Sequence, residues 1–429
     1  MPEYANACDY LNRLHMFGIK LGLEQVTELL QAAGSPERKL RFIHVAGSNG
    51  KGSFCAMLST ALRKAGFNTG FYSSPHLVSP QERFRLNGKA VSKEDFTELV
   101  NFLRPFADKM ALAGRCPTYF EFTTVMAILY FARNKADWVV WETGMGGRLD
   151  ATNAVNPYCS VITGIALEHQ KHLGDTLEKI AFEKAGIIKT WRPVFCGRLP
   201  AEALQIIKKR CAETGSPLNI IPDAEFSNLQ FDVSDGSFRQ CFDYEEKHIM
   251  LGLAGKFQRQ NFKLVFMLLK HLAGEFGFPL EKALAGLAEV RWPGRVQFMP
   301  DGSIIDGGHN PDGAAALVES LSEIFPEQKF SVIFGNFADK DTEQILKILS
   351  EYAMEFIFLP LHGGERRSLN GAELSAILRQ VSGVPATVVE TIEEAMKLKV
   401  YGRRLVTGSL YLAGDALRWF YPEDKILNI

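Results

Sequence analysis

The residues HVAGSNGKGSF, His44–Phe54, are of the types that hold phosphate. Gly47, Ser48, Asn49, Gly50, Lys51, Gly52 and Ser53 supply small residues whose backbone N–H groups can turn inward and a lysine to neutralise charge, with a helix beginning behind them. The standard pattern for such a loop, G-x-x-x-x-G-K-[ST], fails in two places. Val45 stands where the first glycine belongs, and Gly52 where a hydroxyl would hold magnesium. The phosphate-binding features survive both departures, whereas the metal-binding hydroxyl is missing. A plain glycine-rich turn after a strand is the alternative use of the same residues.

If Gly52 cannot hold a divalent metal, ligands must come from other strand ends, because ligands bind outside the carboxyl edge of a parallel α/β sheet. Ser74 after TGFYS, Glu142 closing DWVVWE and His169 beyond SVITGIALE stand at such ends. Each has a structural alternative: Ser74-Pro75 can begin a turn, Glu142 can pair with Arg148, and a lone histidine can be a hydrogen-bonded or surface residue. A mainly oxygen donor set with one imidazole suits Mg²⁺ or Mn²⁺ better than zinc. Lys184 is one of three lysines in LEKIAFEKAGIIK and, on its face, a solvated helix residue.

The elements that must position these residues follow from periodicity. NACDYLNRLHMF and LGLEQVTELLQAAG read as helices, the second ending on Gly34-Ser35-Pro36. FIHVA, the loop, the helix FCAMLSTALRKAG and the strand TGFYSS make a βαβ unit, which implies a parallel sheet. EFTTVMAILYFARNKA reads as a helix, and DWVVWETG and SVITGIA as buried strands. Residues 190–250 are less regular, with short strand-like pieces such as VFCG, LNIIP and HIMLGLAG; FKLVFMLLKHLAGEFG is a helix. RWPGRVQFMPDGSIIDGG reads as a turn, a short extended piece and a strand, after which FSVIFG, EFIFLP, ATVVE and RRLVTGS alternate with helices. The expected architecture is α/β, a P-loop parallel-sheet ATPase domain over 1–294 and a smaller Rossmann-like α/β domain over 295–429.

Composition narrows the function. A chain of 429 residues with 46% hydrophobic residues is too long for one core. Forty-eight basic residues nearly cancel 49 acidic ones, which argues against nucleic acid as the main partner. Seven scattered cysteines without a C-x-x-C pair suggest neither a disulfide framework nor a thiolate zinc site. MPEYANACDYLNRL has no signal-peptide pattern, and no apolar run reaches membrane-spanning length. A soluble, cytoplasmic protein with no membrane partner is expected.

The chain resembles the bacterial folylpolyglutamate synthase/dihydrofolate synthase family within the Mur ligase superfamily. The resemblance is carried by GSNGKGS (47–53), SSPHLVSPQERFRLNG (73–88), TYFEFTTVMA (118–127), ETGMGGRLDATN (142–153), ALEHQKHLG (166–174), EKAGIIK (183–189), LAGKFQRQN (253–261), RWPGRVQ (291–297), DGGHNPDG (306–313), FADKD (337–341) and TGSLYLAG (407–414). It departs from the family in SPQERFRLNG, which is shorter than usual, in GGH for GAH and in LEH for LDH.

The resemblance implies an ATP-dependent amide ligase that couples L-glutamate to dihydropteroate, to folate (poly)glutamates, or to both. A carboxylate is a poor acylating agent, so ATP phosphorylates it and the glutamate amine attacks the acyl phosphate. Carried over by position, Lys51 and the backbone of 47–53 hold phosphates, and Ser53 adds a further contact. Ser74, Glu142 and His169 hold metal, with a monovalent cation as a further implied partner. Asn261 and Arg295 contact ATP, and Asp306 and His309 belong to the second domain's part of the nucleotide site. Lys184 matches a carbamylated lysine, a modification that requires a neutral amine. Phe120, Phe122, Asp150, Ala151 and Asn153 match the pterin site, and His76 the substrate loop. A monomer is expected. A peptidoglycan Mur ligase would carry a UDP-binding domain before the P-loop, where only about forty residues stand here. A generic P-loop ATPase would not explain DGGHNPDG or GSLYLAG, and a non-catalytic ATP-binding regulator would bind ATP without glutamate-dependent turnover.

Overall fold

FIHVA, WVVWE and CSVI are mostly apolar and buried at every position, so both faces of each strand are covered, as in the middle of a parallel sheet. The computed structural model describes residues 2–14, 22–234, 237–362 and 366–428. His15 to Phe17 of the first expected helix and Leu21 of the second lie outside the described residues. The strands of the first compact unit are β1 (Phe42–Ala46), β2 (Thr69–Tyr72), β3 (Phe84–Leu86), β4 (Lys89–Ala90), β5 (Trp138–Glu142), β6 (Cys159–Ile162), β7 (Val194–Cys196) and β8 (Leu218–Ile220). They form one sheet in the order β4-β3-β2-β5-β1-β6-β7-β8. β2, β5, β1, β6, β7 and β8 run parallel, and β3 and β4 add an antiparallel edge. β1 is therefore central, and the loop of interest leaves its carboxyl end.

The helix Tyr119–Arg133 covers one face of this sheet. Its start is closed by a capping box in which Thr118 and Glu121 satisfy each other's backbone N–H groups. Beneath it Trp141 of β5 stacks on Tyr72 of β2 with ring centroids 4.6 Å apart, and the indole N–H of Trp141 donates to the carbonyl of Thr152 at 2.9 Å. That bond ties the segment Gly147–Asn153 to the sheet.

The second unit comprises residues 77–79, 224–260 and 287–429. Its main sheet holds β12 (Gln297–Phe298), β13 (Ile304–Ile305), β14 (Phe330–Phe334), β15 (Ala353–Phe358), β16 (Ala386–Val388) and β17 (Arg403–Thr407) in the order β12-β13-β17-β14-β15-β16. All but β12 run parallel, which is the expected second α/β fold. The irregular stretch contains a three-stranded antiparallel meander of β9 (Ser227–Ser234), β10 (Ser237–Tyr244) and β11 (Lys247–Leu251). Phe238 of the meander stacks on Phe298 at 5.0 Å, which joins it to the core of this unit. Leu77 lies beneath Gly414, and Arg418 donates to the carbonyl of Val78 at 3.0 Å.

Packing in the first unit is very close where the helix end at Gly186 meets Arg148. A Cβ at Gly186 would stand 2.3 Å from Cβ and 2.4 Å from Cα of Arg148. Gly186→Ala should therefore lower the unfolding free energy by about 1–3 kcal/mol, as measured by urea denaturation; an unchanged midpoint would show that the two segments move apart freely.

Candidate active site

The phosphate loop is suspended between two strands. Past β6 the chain continues beside it: the amide of Ser48 donates to the carbonyl of Gly164 at 2.8 Å, and its hydroxyl donates to Ala166 at 3.0 Å. Thr163 Oγ1 donates to the carbonyl of Asn49 at 2.7 Å. Gly50 takes a left-handed φ of 85°, and a Cβ there would lie 2.6 Å from Asn261 Oδ1, so both conformation and space require glycine. The helix Lys51–Ala65 starts at once, which aims its first amides at the loop. Lys51 folds back so that Nζ donates to the carbonyl of Gly47 at 2.6 Å. Gly52 adds no side-chain oxygen, and Ser53 is buried in the first turn.

The three expected metal donors follow β2, close β5 and lie in the chain beyond β6, with β1 between β5 and β6. Glu142 closes β5 level with Val45 of β1, and Tyr72, two residues before Ser74, is level with Trp141. Ser74 precedes a cis proline, and His169 sits at a left-handed φ of 45° before the short helix Gln170–Leu173. The buried Cys55 thiol is pushed well above its ordinary range by burial, then by the Glu142 charge, with Lys51 opposing. Both charges therefore act on the same buried helix turn. Arg148 pairs with Glu183 at 2.8 Å, which is not the Glu142 pairing weighed from sequence. Among the described residues no three His, Cys, Asp or Glu side chains cluster as a metal centre by themselves. The expected set has only two of those types, plus a hydroxyl. A carboxylate, a hydroxyl and an imidazole at one sheet edge, next to a phosphate cradle, fit a hard divalent cation that keeps water and phosphate oxygens as its remaining ligands.

Lys184 is not a solvated helix lysine. It is 1% exposed, and its Nζ donates to Glu168 Oε1 at 2.6 Å. Burial lowers its pKa to about 8, with Glu168 opposing and Lys51 adding to the fall. Burial works against the charge on Glu168, but Lys51, Lys184 and His169 together hold its carboxyl below the usual range. Lys51, Glu168, His169 and Lys184 thus form one electrostatic group. Glu168 is the site residue that motif reading did not single out; its only signal is an acid directly before His169, where the family has aspartate.

The expected pterin residues separate by burial. Asp150 turns inward, accepting from the amides of Met145 at 2.8 Å and Thr152 at 3.0 Å and from the Thr152 hydroxyl at 2.5 Å. Burial raises its pKa against the pull of those donors. It shapes the turn that follows Glu142. Asn153 is also buried, and its amide donates to the carbonyls of Arg148 at 2.9 Å and Gly186 at 3.1 Å. Ala151 is buried beside them. Phe122 is enclosed in the core, whereas Phe120 is half-buried and packs on Gly144, where a Cβ would meet its ring at 2.6 Å. His76 accepts from Arg83 Nε at 2.9 Å.

In the second unit Asp306 is buried, accepting from the amides of Gly308 at 2.7 Å and Val296 at 3.0 Å. Burial raises its pKa and the charge of Arg295 opposes the rise. His309 Nδ1 lies 3.0 Å from the carbonyl of Gly307. The motif DGGHN is thus a turn organised around one carboxylate, with Arg295 beside it.

A family model described as the Mur ligase middle domain matches residues 45–269, and one described as Mur ligase, glutamate ligase domain, matches residues 294–407. Over 426 residues the chain is 35% identical to a dihydrofolate synthase/folylpolyglutamate synthase of Bacillus subtilis, covering 96% of this chain and 98% of that protein. It is 32% identical to a folylpolyglutamate synthase of Lacticaseibacillus casei, covering 91% of this chain and 92% of the other. The solved structure of Mycobacterium tuberculosis folylpolyglutamate synthase, complexed with ADP and AMPPCP, matches with a TM-score of 0.86 at 28% identity, covering 98% and 99% of the two chains.

The buried ammonium of Lys184 has a signature in stability. Its pKa falls from 10.5 to about 8 on folding, so between those values the unfolded chain holds more protons and stability rises with pH. The stability of the protein relative to a Lys184→Met variant should rise across that window and level off above it; a flat difference would place the lysine in a solvated setting.

Proposed function

The chain belongs to the folylpolyglutamate synthase/dihydrofolate synthase family of the Mur ligases, and we propose how its residues carry out the ligation of that family. The protein is a ligase that forms a C–N bond between L-glutamate and a folate-type carboxylate, driven by ATP. The observation that supports the residue roles best is the suspended loop 47–53, with Lys51 over it and Glu142 and Glu168 at the neighbouring strand ends.

In this reading the backbone amides of 47–53 and Lys51 hold the β- and γ-phosphates of ATP. Asn261 steadies the loop at Gly50. Ser74, Glu142 and His169 would hold Mg²⁺, or Mn²⁺, which neutralises charge on the phosphoryl oxygens when bound. The substrate carboxylate oxygen attacks the γ-phosphorus and ADP leaves. The glutamate amine then attacks the acyl carbon, the C–O bond to phosphate breaks, and the amine loses a proton. Arg295, Asp306 and His309 are assigned to the nucleotide by their positions in RWPGR and DGGHN.

Lys184 is assigned a carbamate in the working enzyme. Its pKa of about 8 supports the assignment, because a neutral amine is then within reach near neutral pH. The pair with Glu168 is the state of the free amine. Mass spectrometry of the active enzyme under CO₂ that finds only free amine would contradict this.

Phe120 is assigned to the pterin, with Ala151 at the loop beneath, and Asp150 and Asn153 shape that loop from inside. The GGRLDATN segment and the two-activity relative of Bacillus subtilis support action on both dihydropteroate and reduced folates. A cytoplasmic monomer is the corresponding setting; among the described residues no helix is long and apolar enough to cross a membrane.

Phosphate release with ATP, Mg²⁺ and L-glutamate should appear with dihydropteroate and with a reduced folate monoglutamate offered separately. Lys51→Ala should lower both by 10²-fold or more, on the order of the loss of a main transition-state donor. Activity with only one acceptor would restrict the reading to that reaction, and glutamate-independent release alone would overturn it.

A further inference from the structure

At the opposite end of the eight-stranded sheet, where β6 and β7 begin, lies a cavity of about 590 Å³ lined by Asn156, Lys189, Trp191, Arg192 and Arg210 among others. The phosphate loop leaves the carboxyl end of β1, so a strand of five residues, roughly 17 Å, separates the two edges. None of these residues enters the ligation described above. We propose that this cavity is a second ligand site, for an aromatic ring that carries phosphate or carboxylate groups.

Three cations share the cavity with little to balance them. Lys189 Nζ donates to the carbonyl of Asn153 at 3.2 Å, and neither Lys189 nor Arg192 has an ion-pair partner among the described residues. Arg210 meets Glu213 at 3.6 Å, with both side chains about half exposed, a separation at which a surface pair contributes little. The buried Nε of Arg210 finds no hydrogen-bond partner among the described residues. Lys189 is pulled below its ordinary pKa by burial and then by Arg210, so the positive charges repel one another in a half-buried setting. An anion in the cavity would relieve that repulsion and accept the unused donors.

The ring requirement comes from Trp191, which is 79% exposed. Its φ of 59° lies in the left-handed region, costly for a bulky side chain, so the surrounding structure must hold it there. Its amide donates to the carbonyl of Thr214 at 3.0 Å, and the next amide, of Arg192, returns to the carbonyl of Lys189 at 3.1 Å. The Ser216 hydroxyl donates to the same Lys189 carbonyl at 2.9 Å. Gly215 leaves room for the indole, since a Cβ there would come within 2.9 Å of the ring. A short, braced turn thus presents an indole to solvent beside three cations. Stacking on that face and charge-assisted hydrogen bonds to the cations together select a flat anionic molecule. With a net charge of −1 for the whole chain, the cations form a local feature and no general polyanion-binding surface.

Nucleotides and folates share this chemistry, and both are reactants of the ligation, so the test separates them. Isothermal titration of the full-length Lys51→Ala protein with ADP, and separately with a folate triglutamate, both without divalent metal, should reveal a site for one of the two. Its affinity should fall at least 10-fold when Arg192→Glu and Arg210→Glu are added. The accompanying change in tryptophan fluorescence with ADP, or the near-ultraviolet difference spectrum with the folate, should vanish in Trp191→Leu. With Lys51 restored, the Arg192→Glu/Arg210→Glu protein should keep its basal glutamate-dependent turnover, which shows that it is folded. Binding of neither ligand, binding indifferent to these substitutions, or equal affinity for inorganic tripolyphosphate would overturn the proposal.

Discussion

The carboxyl edge of the large sheet is organised around a buried ammonium. Lys184, enclosed and 2.6 Å from Glu168, adds a second positive charge to that of Lys51. A carboxylate must lie between them for the group to stay compact, and Glu168 supplies it. Removing one member of such a buried pair typically costs about 3–5 kcal/mol, because the other charge is left uncompensated. That balance belongs to the free amine; in the proposed working state, with Lys184 carbamylated, Lys51 and the loop amides are the positive groups that meet the arriving phosphoryl oxygens without reorganisation.

Most of this edge is legible in the residue pattern. FIHVA–GSNGKGS–helix reads directly as a strand, a phosphate loop and a helix, since doubly buried strands and glycine-rich turns leave strong local signals. Glu142 and His169 follow runs that read as buried strands, where the rule that sites lie outside the carboxyl edge points without knowledge of any contact. Glu168 carries no such mark, because an acid in a loop looks the same whether it faces water or a buried lysine sixteen residues on. Lys184 likewise has no local mark of burial; its surroundings come from the packing of Gly147 and Arg148 on the segment Glu183–Ile187.

The segment GRLDATN illustrates a second limit. Read as a motif, Asp150 points to a ligand; in the fold its oxygens hold the amides of Met145 and Thr152, so it works on the turn behind Glu142. Phe122, at the start of an apolar helix, is part of the core, and its neighbour Phe120 is the one with a free portion of ring. Spacing alone does not separate two aromatics that lie two residues apart on one helix. In the antiparallel meander only the third strand, Lys247–Leu251, falls on a piece that reads as strand-like, HIMLGLAG; Ser227–Ser234 and Ser237–Tyr244 carry the alternation of half-buried strands but no chemical motif that draws attention to them.

Gly52, the residue that breaks the usual P-loop pattern, adds no side-chain oxygen, and in the proposed reading Ser74, Glu142 and His169 supply the donors that a hydroxyl there would have supplied. In the proposed mechanism this edge transfers a phosphoryl group to the acceptor carboxylate before the amide forms. The most direct measurement is the fate of ¹⁸O placed in the acceptor carboxylate during a single turnover with ATP and L-glutamate. One ¹⁸O is expected in the released inorganic phosphate, carried across as the bridging oxygen of the acyl phosphate; phosphate released without label would rule out this order of steps.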